Sequence, residues 1–194
     1  MKLLGIKTSG KILSAAVCED DKILSGITFT ANRSHSVDLL PSVKSALERA
    51  ELSLSEIDGI AVDVGPGSYT GIRIGIATAK GLAFPDNIPV CGVSSLEAAA
   101  VGIKKAIVIK KARGELVYAA IFAAGERISP DCIININEFR EKIKEYSGFE
   151  IIEEETDESA VKICRVSMGK KFISADLLKA AYLEPTKAEK DLKF

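Results

Sequence analysis

The stretch GPGSYTGIRIGIATAKGLA, from Gly65 to Ala83, constrains this chain more than any other. It follows the apolar run Ile60-Ala61-Val62-Asp63-Val64 and leads into a segment of helical pattern. The order is strand, glycine-rich turn, helix. Such a turn aims backbone N–H groups and the positive end of a helix at whatever lies in front of it. Gly65, Gly67 and Thr70 are therefore candidates to face an anion or nucleotide. The alternative is a tight turn with Ser68 or Thr70 as helix cap. The stretch is not a Walker loop, because Gly-Lys-Ser/Thr is missing, and no acidic residue follows it at dinucleotide spacing. The first apolar run, Leu3-Leu4-Gly5-Ile6-Lys7-Thr8-Ser9, carries a lysine where a phosphate-and-metal site would want a carboxylate.

The 194 residues suffice for one large domain or two small ones sharing a core. A net charge of −1 lacks the basic surplus of a chain that binds RNA strongly by itself, so a nucleic-acid role would be shared with a partner. Cys18, Cys91, Cys132 and Cys164 lie far apart, without a CxxC pair, and read as reduced, mostly buried thiols. No apolar run approaches the ~20 residues of a membrane span, and Met1-Lys2 leads straight into a strand. A cytoplasmic protein without membrane contact is expected.

Strands are expected over 2–7, 12–18 and 23–30, the last two joined by the polar turn Glu19-Asp20-Asp21-Lys22. Val37, Leu40, Val43, Leu47 and Ala50 mark one face of a helix over 34–52, in which Pro41 either starts the regular part or makes a kink. A strand covered on both faces follows at 57–64, then a helix over 70–84 and a strand over 88–93. Ser94 and Glu97 form a capping-box pattern for a helix ending at Gly102. Strands are expected again at 106–110 and 117–122, a helix capped by Asn137 over 138–146, and a strand at 149–152. Glu153–Glu158 reads as an acidic loop, and from Val161 onward strand and helix are both open. The pattern gives two α/β halves, 1–100 and a shorter, less regular 101–194, each opening on a hairpin and holding a mixed sheet.

Gly71, Gly75 and Ala79 fall on one face of the helix after the turn. That bare face serves either close packing on the protein's own sheet or contact with another subunit. His35 is the only histidine; Leu39, four residues on, cannot ligate a metal and Asp38, three on, offers only a weak two-ligand site, so a capping or surface role is expected. No Ser–His–Asp arrangement is supported. Lys7 and Lys111 read as solvated strand ends, or as partners of a phosphate or of Asp63, and both argue against magnesium–ATP chemistry.

The chain resembles the bacterial TsaB (YeaZ) family in four stretches: Leu4–Ser9, His35-Ser36-Val37-Asp38-Leu39-Leu40-Pro41, Gly65–Gly75 and Val93-Ser94-Ser95-Leu96-Glu97. The resemblance implies the actin/Hsp70/sugar-kinase fold with two ribonuclease-H-like halves. It also implies a role in forming threonylcarbamoyladenosine beside the tRNA anticodon, as a non-catalytic partner of the catalytic paralogue TsaD and of the ATPase TsaE. No cofactor or metal is expected. Leu39 stands where the paralogue has the second histidine of a metal pair, Lys7 and Lys111 replace family aspartates, and Glu184 replaces an arginine. The resemblance implies a four-helix contact with TsaD, or a homodimer, through the segments 34–50 and 70–84. His35, Leu39, Val43, Gly71, Ile72, Gly75, Ile76 and Ala79 are its expected residues, and a bulky residue at Gly75 should weaken pairing while the monomer stays folded. An ATP-dependent kinase-like or transferase activity is the alternative, with a metallopeptidase third.

Overall fold

The computed structural model describes residues 1–30, 35–153 and 159–184. Three strands open the chain: β1 (Lys2–Lys7), β2 (Ile12–Glu19) and β3 (Lys22–Thr30), an antiparallel meander. Glu19 pairs with Lys22, which leaves Asp20 and Asp21 as the turn, Asp20 with φ 49°. Polar residues that tolerate positive φ suit a hairpin loop. Next come α1 (His35–Arg49), β4 (Gly59–Gly65), α2 (Tyr69–Ala83) and β5 (Val90–Ser94). Both β4 and β5 run parallel to β1, and the five-stranded order is β3-β2-β1-β4-β5.

All of β4 is buried, as a strand with helices on both faces must be. On one face, Leu4, Ile6, Leu13, Ala15, Val17, Val62 and Val64 pack beneath α1 and α2. On the other, Leu3, Ala16 and Cys18 meet α5 (Ser159–Met168) through Ala160, Val161 and Cys164. The alternation of β1 sets this division. α1 runs through Pro41, which is exposed. One turn is stitched instead by Ser42, whose Oγ donates to the Asp38 carbonyl at 2.7 Å.

After α3 (Ser95–Ala100), the second sheet contains β6 (Lys105–Lys111), β7 (Leu116–Ala123), β8 (Glu126–Arg127) and β10 (Glu150–Ile152), in the order β10-β6-β7-β8. A further strand, β9 (Cys132–Asn135), pairs with β7. α4 (Ile136–Lys142) and a 3-10 turn at Ile143–Glu145 cover its outer face through Phe139 and Ile143. Leu96 and Ala100 of α3 cover the inner face, against Ala106, Val108, Ala120 and Phe122. α3 and α5 thus form a layer between the sheets. The actin/Hsp70/sugar-kinase class, with mixed sheets and helices in two ribonuclease-H-like parts, is the architecture found.

Several local expectations change. Residues 159–168, left open by the sequence, are helical. Asn135, not Asn137, caps α4, its side chain accepting from the Asn137 N–H at 2.9 Å. Ser94 does cap α3, but the Glu97 carboxylate turns to Lys170 at 2.9 Å and Arg127 at 3.4 Å instead of closing the box. Most of the acidic loop, 154–158, lies outside the described residues. The four cysteines are free, three of them buried, and burial pushes the Cys91 and Cys132 thiols up. Among the described residues no helix is long and apolar enough to cross a membrane.

The contact of α5 with β1 needs a residue without a side chain at position 5. A Cβ on Gly5 would lie 2.5 Å from the Ala160 carbonyl oxygen and 2.6 Å from the Cys164 sulfur. Gly26 on the edge strand β3 has nothing within 4 Å of that point. Gly5→Val should therefore lose about 1–3 kcal/mol from overpacking, whereas Gly26→Ala should be near neutral, both measured by urea denaturation.

Candidate functional site

The glycine turn docks on the end of β1. The Ser68 N–H donates to the Ser9 carbonyl at 2.7 Å, and Ser68 Oγ caps α2 by accepting from the Gly71 N–H at 3.2 Å. Thr8 Oγ1 donates to the Gly71 carbonyl at 2.6 Å. A Cβ at Gly71 would land on the Thr8 carbonyl oxygen, and one at Gly67 on that of Ser9. Gly65 adopts φ 103°, a conformation for which glycine is suited, and the Gly65–Pro66 bond is cis. The strand end thus occupies ground directly before the helix start. Thr70 is exposed.

Beneath the turn lies a buried charge cluster. Asp63 is fully buried; its Oδ1 accepts the Gly65 N–H at 2.8 Å, and its Oδ2 accepts the Ser9 hydroxyl. Lys7 Nζ stands 3.7 Å from the same Oδ2 and 3.5 Å from Ser9 Oγ, and Lys7 is only 4% exposed. From the second sheet, Lys110 Nζ donates to Ser9 Oγ at 3.2 Å. Two ammonium groups and one carboxylate therefore converge on one serine, across the gap between the sheets. Lys7 is not a solvated strand end: it takes the Asp63 partnership.

Lys111, the residue singled out in the sequence, is exposed. Its neighbour Lys110 reaches the cluster instead, because successive strand residues face opposite ways. Periodicity carries this signal: Ala106, Val108 and Lys110 share the face turned toward α3.

A tail segment closes one side of the gap. The Ala181 N–H donates to the Val64 carbonyl at 2.9 Å, and the Tyr182 ring stacks on Tyr69 with centroids 4.9 Å apart. Arg73 lies 4.0 Å over the Tyr69 ring and donates from Nε to the Tyr182 hydroxyl at 3.1 Å. Glu184, the charge reversal noted in the sequence, meets Arg113 of the second sheet's turn at 2.9 Å. This tail has no local sequence pattern, since its contacts join residues more than seventy positions apart.

The residues expected at a subunit contact divide by burial. Leu39, Val43, Ile72 and Ala79 are at most 2% exposed, and Gly71 and Gly75 are buried. A Cβ on Gly75 would lie 2.5 Å from Thr8 Oγ1 and 3.5 Å from a Val62 methyl. The bare face of α2 therefore packs on the protein's own sheet. The expectation that a bulky residue at 75 spares the monomer is corrected, because it would collide with Thr8 just beyond β1. Ile76 is half-buried. His35, half-buried at the start of α1, donates from Nε2 to the Gly10 carbonyl at 3.0 Å, tying the helix to the β1–β2 turn. Among the described residues, no three His, Cys, Asp or Glu side chains group to hold a metal. Among the described residues of α1 and α2 and their ends, the most exposed large apolar side chains are Val37, 55% exposed, Leu40, 53%, and Phe84 just beyond α2, 81%. Leu40, Pro41, Lys44, Leu47 and Leu82 line a shallow apolar groove between the helices.

The family model for tRNA N6-adenosine threonylcarbamoyltransferase, TsaD, matches residues 26–188. The tRNA threonylcarbamoyladenosine biosynthesis protein TsaB of Bacillus subtilis is 32% identical over 154 residues, 75% of this chain and 67% of that protein. TsaB of Escherichia coli is 37% identical over 102 residues, 53% of this chain and less than half, 44%, of its own length. YeaZ from Pseudomonas aeruginosa superposes with a TM-score of 0.77 at 23% identity, covering 94% of this chain and 99% of its own.

Replacing Asp63 by asparagine removes the carboxylate beside a buried ammonium. Loss of one member of such a pair typically costs about 3–5 kcal/mol, so Asp63→Asn should destabilise by that order in urea denaturation. Adding Lys7→Met to Asp63→Asn should recover part of the loss, giving a favourable coupling in the double-mutant cycle.

Proposed function

Because this chain belongs to the TsaB (YeaZ) family, and so to the proteins of tRNA threonylcarbamoyladenosine biosynthesis, we propose that it is the non-catalytic partner subunit of a complex with a TsaD-type transferase. The complex would carry out the modification beside the anticodon in the cytoplasm, with a TsaE-type ATPase as a further member. The catalytic centre would then belong to the partner, and this chain would supply a docking surface.

The observation that carries the reading is the cleft floor. An ATP- and magnesium-dependent member of this fold class needs room for phosphate and a carboxylate open to the metal. Here the Asp63 carboxylate is engaged by Ser9, the Gly65 N–H and the Lys7 ammonium. A magnesium ion against it would face that ammonium at short range, where two like charges cost several kcal/mol even at an effective dielectric of about 20. The turn's Ser68 N–H, a donor for an incoming phosphate, is spent on Ser9. The geometry thus supports a vestigial turn at Gly65, Gly67 and Thr70 and speaks against the kinase-like alternative.

The docking surface follows from burial. An apolar side chain half exposed on a helix gains on being covered, about 25 cal/mol per Å². Val37 and Leu40 on α1, and Leu47 and Leu82 along the groove, are therefore the proposed contact, in place of the inward-facing glycines.

The test mixes the purified chain with a TsaD-type transferase, tRNA, ATP and threonylcarbamoyl donor chemistry, and measures modified adenosine. Alone, the chain should form none and should show no micromolar ATP–magnesium binding by calorimetry; together, the transferase should gain activity. Val37→Asp with Leu40→Asp should reduce co-elution on size exclusion at least tenfold while leaving the thermal midpoint of the free chain within a few degrees. A transferase indifferent to this chain, or turnover of ATP by the chain alone, would overturn the reading.

A further inference from the structure

The side of the first sheet away from α1 and α2 carries an unusual charge pattern. The chain as a whole has net charge −1, yet the run Ser159–Lys171 holds Lys162, Arg165, Lys170 and Lys171 and no acidic residue. Lys162 and Arg165 lie three positions apart on α5, on neighbouring sites of one helix face. Beside them a groove of about 710 Å³ opens between the C-terminal ends of α3 and α5 and the β7–β8 turn. Lys104, Arg165 and Lys170 stand on its rim, and Ile103, Phe122 and Val166 form its floor.

The carboxylates nearby offset Lys170 and Arg127 and leave Lys104 and Arg165 as the cations of the lining with no carboxylate in ion-pair distance among the described residues. Glu97 is shared by Lys170 at 2.9 Å and Arg127 at 3.4 Å, and Asp131 is bonded to Arg127. Glu126 is the other acidic group of the lining. Among the described residues no carboxylate lies within ion-pair distance of Lys104, Lys162, Arg165 or Lys171. Arg165, Lys170 and Lys104 are exposed.

We propose that this rim is a contact for the phosphate backbone of RNA, and that within the complex it holds part of the tRNA. This rests on the functional reading above and adds to it the surface that meets the substrate. The chemistry favours a polyanion over a small anion: the cations are exposed and spread along an open groove and two helix ends, not gathered around an enclosed cavity. Flexible lysines and an arginine with exposed heads contact phosphate without reading bases, so the contact is independent of sequence and dependent on salt. Its position fits the assembly. The first sheet separates α5 from α1 and α2, so a subunit docked on those helices leaves the rim open.

The experiment uses the complex of the full chain with the transferase. Fluorescence anisotropy with labelled tRNA is recorded from 50 to 200 mM KCl for wild type, for Lys104→Glu with Arg165→Glu, for the milder Lys104→Gln with Arg165→Gln, and for a control pair outside the groove lining, Lys11→Glu with Lys22→Glu. Size exclusion and a thermal melt accompany each. The rim reversal should weaken tRNA binding by about tenfold or more at low salt and flatten the slope of log K against log[salt] by about one to two. The glutamine pair should show the same direction with a smaller loss, and the control pair should leave the slope unchanged. An assembled, folded rim variant that binds tRNA with wild-type affinity and slope overturns the proposal and leaves these cations as charges at helix C-termini. If the wild-type chain does not co-elute with the transferase at all, the functional reading fails first, and the tRNA contact falls with it.

Discussion

The close approach of α2 to the end of β1 is the constraint on which the rest of the structure depends. Two carbonyl groups and one hydroxyl of Thr8 and Ser9 occupy the space that side chains at positions 67, 71 and 75 would fill. The helix can start there only because those three residues are glycine. Its start fixes the Gly65–Ser68 turn, the turn fixes where Asp63 accepts its hydrogen bonds, and Asp63 fixes Lys7 and Ser9. The same contact holds α2 at a height at which α1 packs beside it over a shared core. Cleft floor and outer helix layer are two consequences of one steric fit.

Magnitudes decide what the Lys7–Asp63 pair is for. At 3.7 Å and an effective dielectric near 20, its attraction is about 4 kcal/mol. Taking two charges out of water costs several kcal/mol for each, so the pair contributes little net stability. Its effect is local. It holds the carboxylate against Ser9, and the Lys110 ammonium reaches the same serine from the second sheet.

The alternation and turn chemistry of the first hundred residues made most of that half legible: the meander, the fully buried β4 and both long helices lie within a few residues of their expected places. Residues 159–168 were not, because Val161, Ile163 and Val166 are β-branched and the apolar spacing suits either element. The glycine stripe shows a second kind of limit. Gly71, Gly75 and Ala79 announce that a backbone comes close, but spacing cannot say whose; here it is β1 of the same chain. Lys111 shows a third: a one-residue difference on a strand exchanges solvent for the cleft, so the reading of Lys111 as the cleft residue missed its neighbour Lys110. The tail contacts of Tyr182 and Glu184 are long-range and have no local signature.

Those tail contacts bear on how the molecule works. Ala181 is bonded to the end of β4, Tyr182 stacks on the first turn of α2, and Glu184 reaches Arg113 across the gap. The Lys110–Ser9 bond spans the same gap from below, and the Ser95 hydroxyl donates to the Pro66 carbonyl, joining α3 to the glycine turn. An exposed pair such as Glu184–Arg113 is worth at most about 1 kcal/mol by itself. The five ties are not alone in their effect, because each is made between groups that the glycine contact and the intervening α3–α5 layer already hold. Enzymes that close on a nucleotide need lobes that part and meet. The proposed docking role would instead need surfaces at fixed mutual positions. With α1 and α2 on one side of the first sheet and the basic rim on the other, the ties across the gap keep the proposed partner face and the proposed RNA face in register.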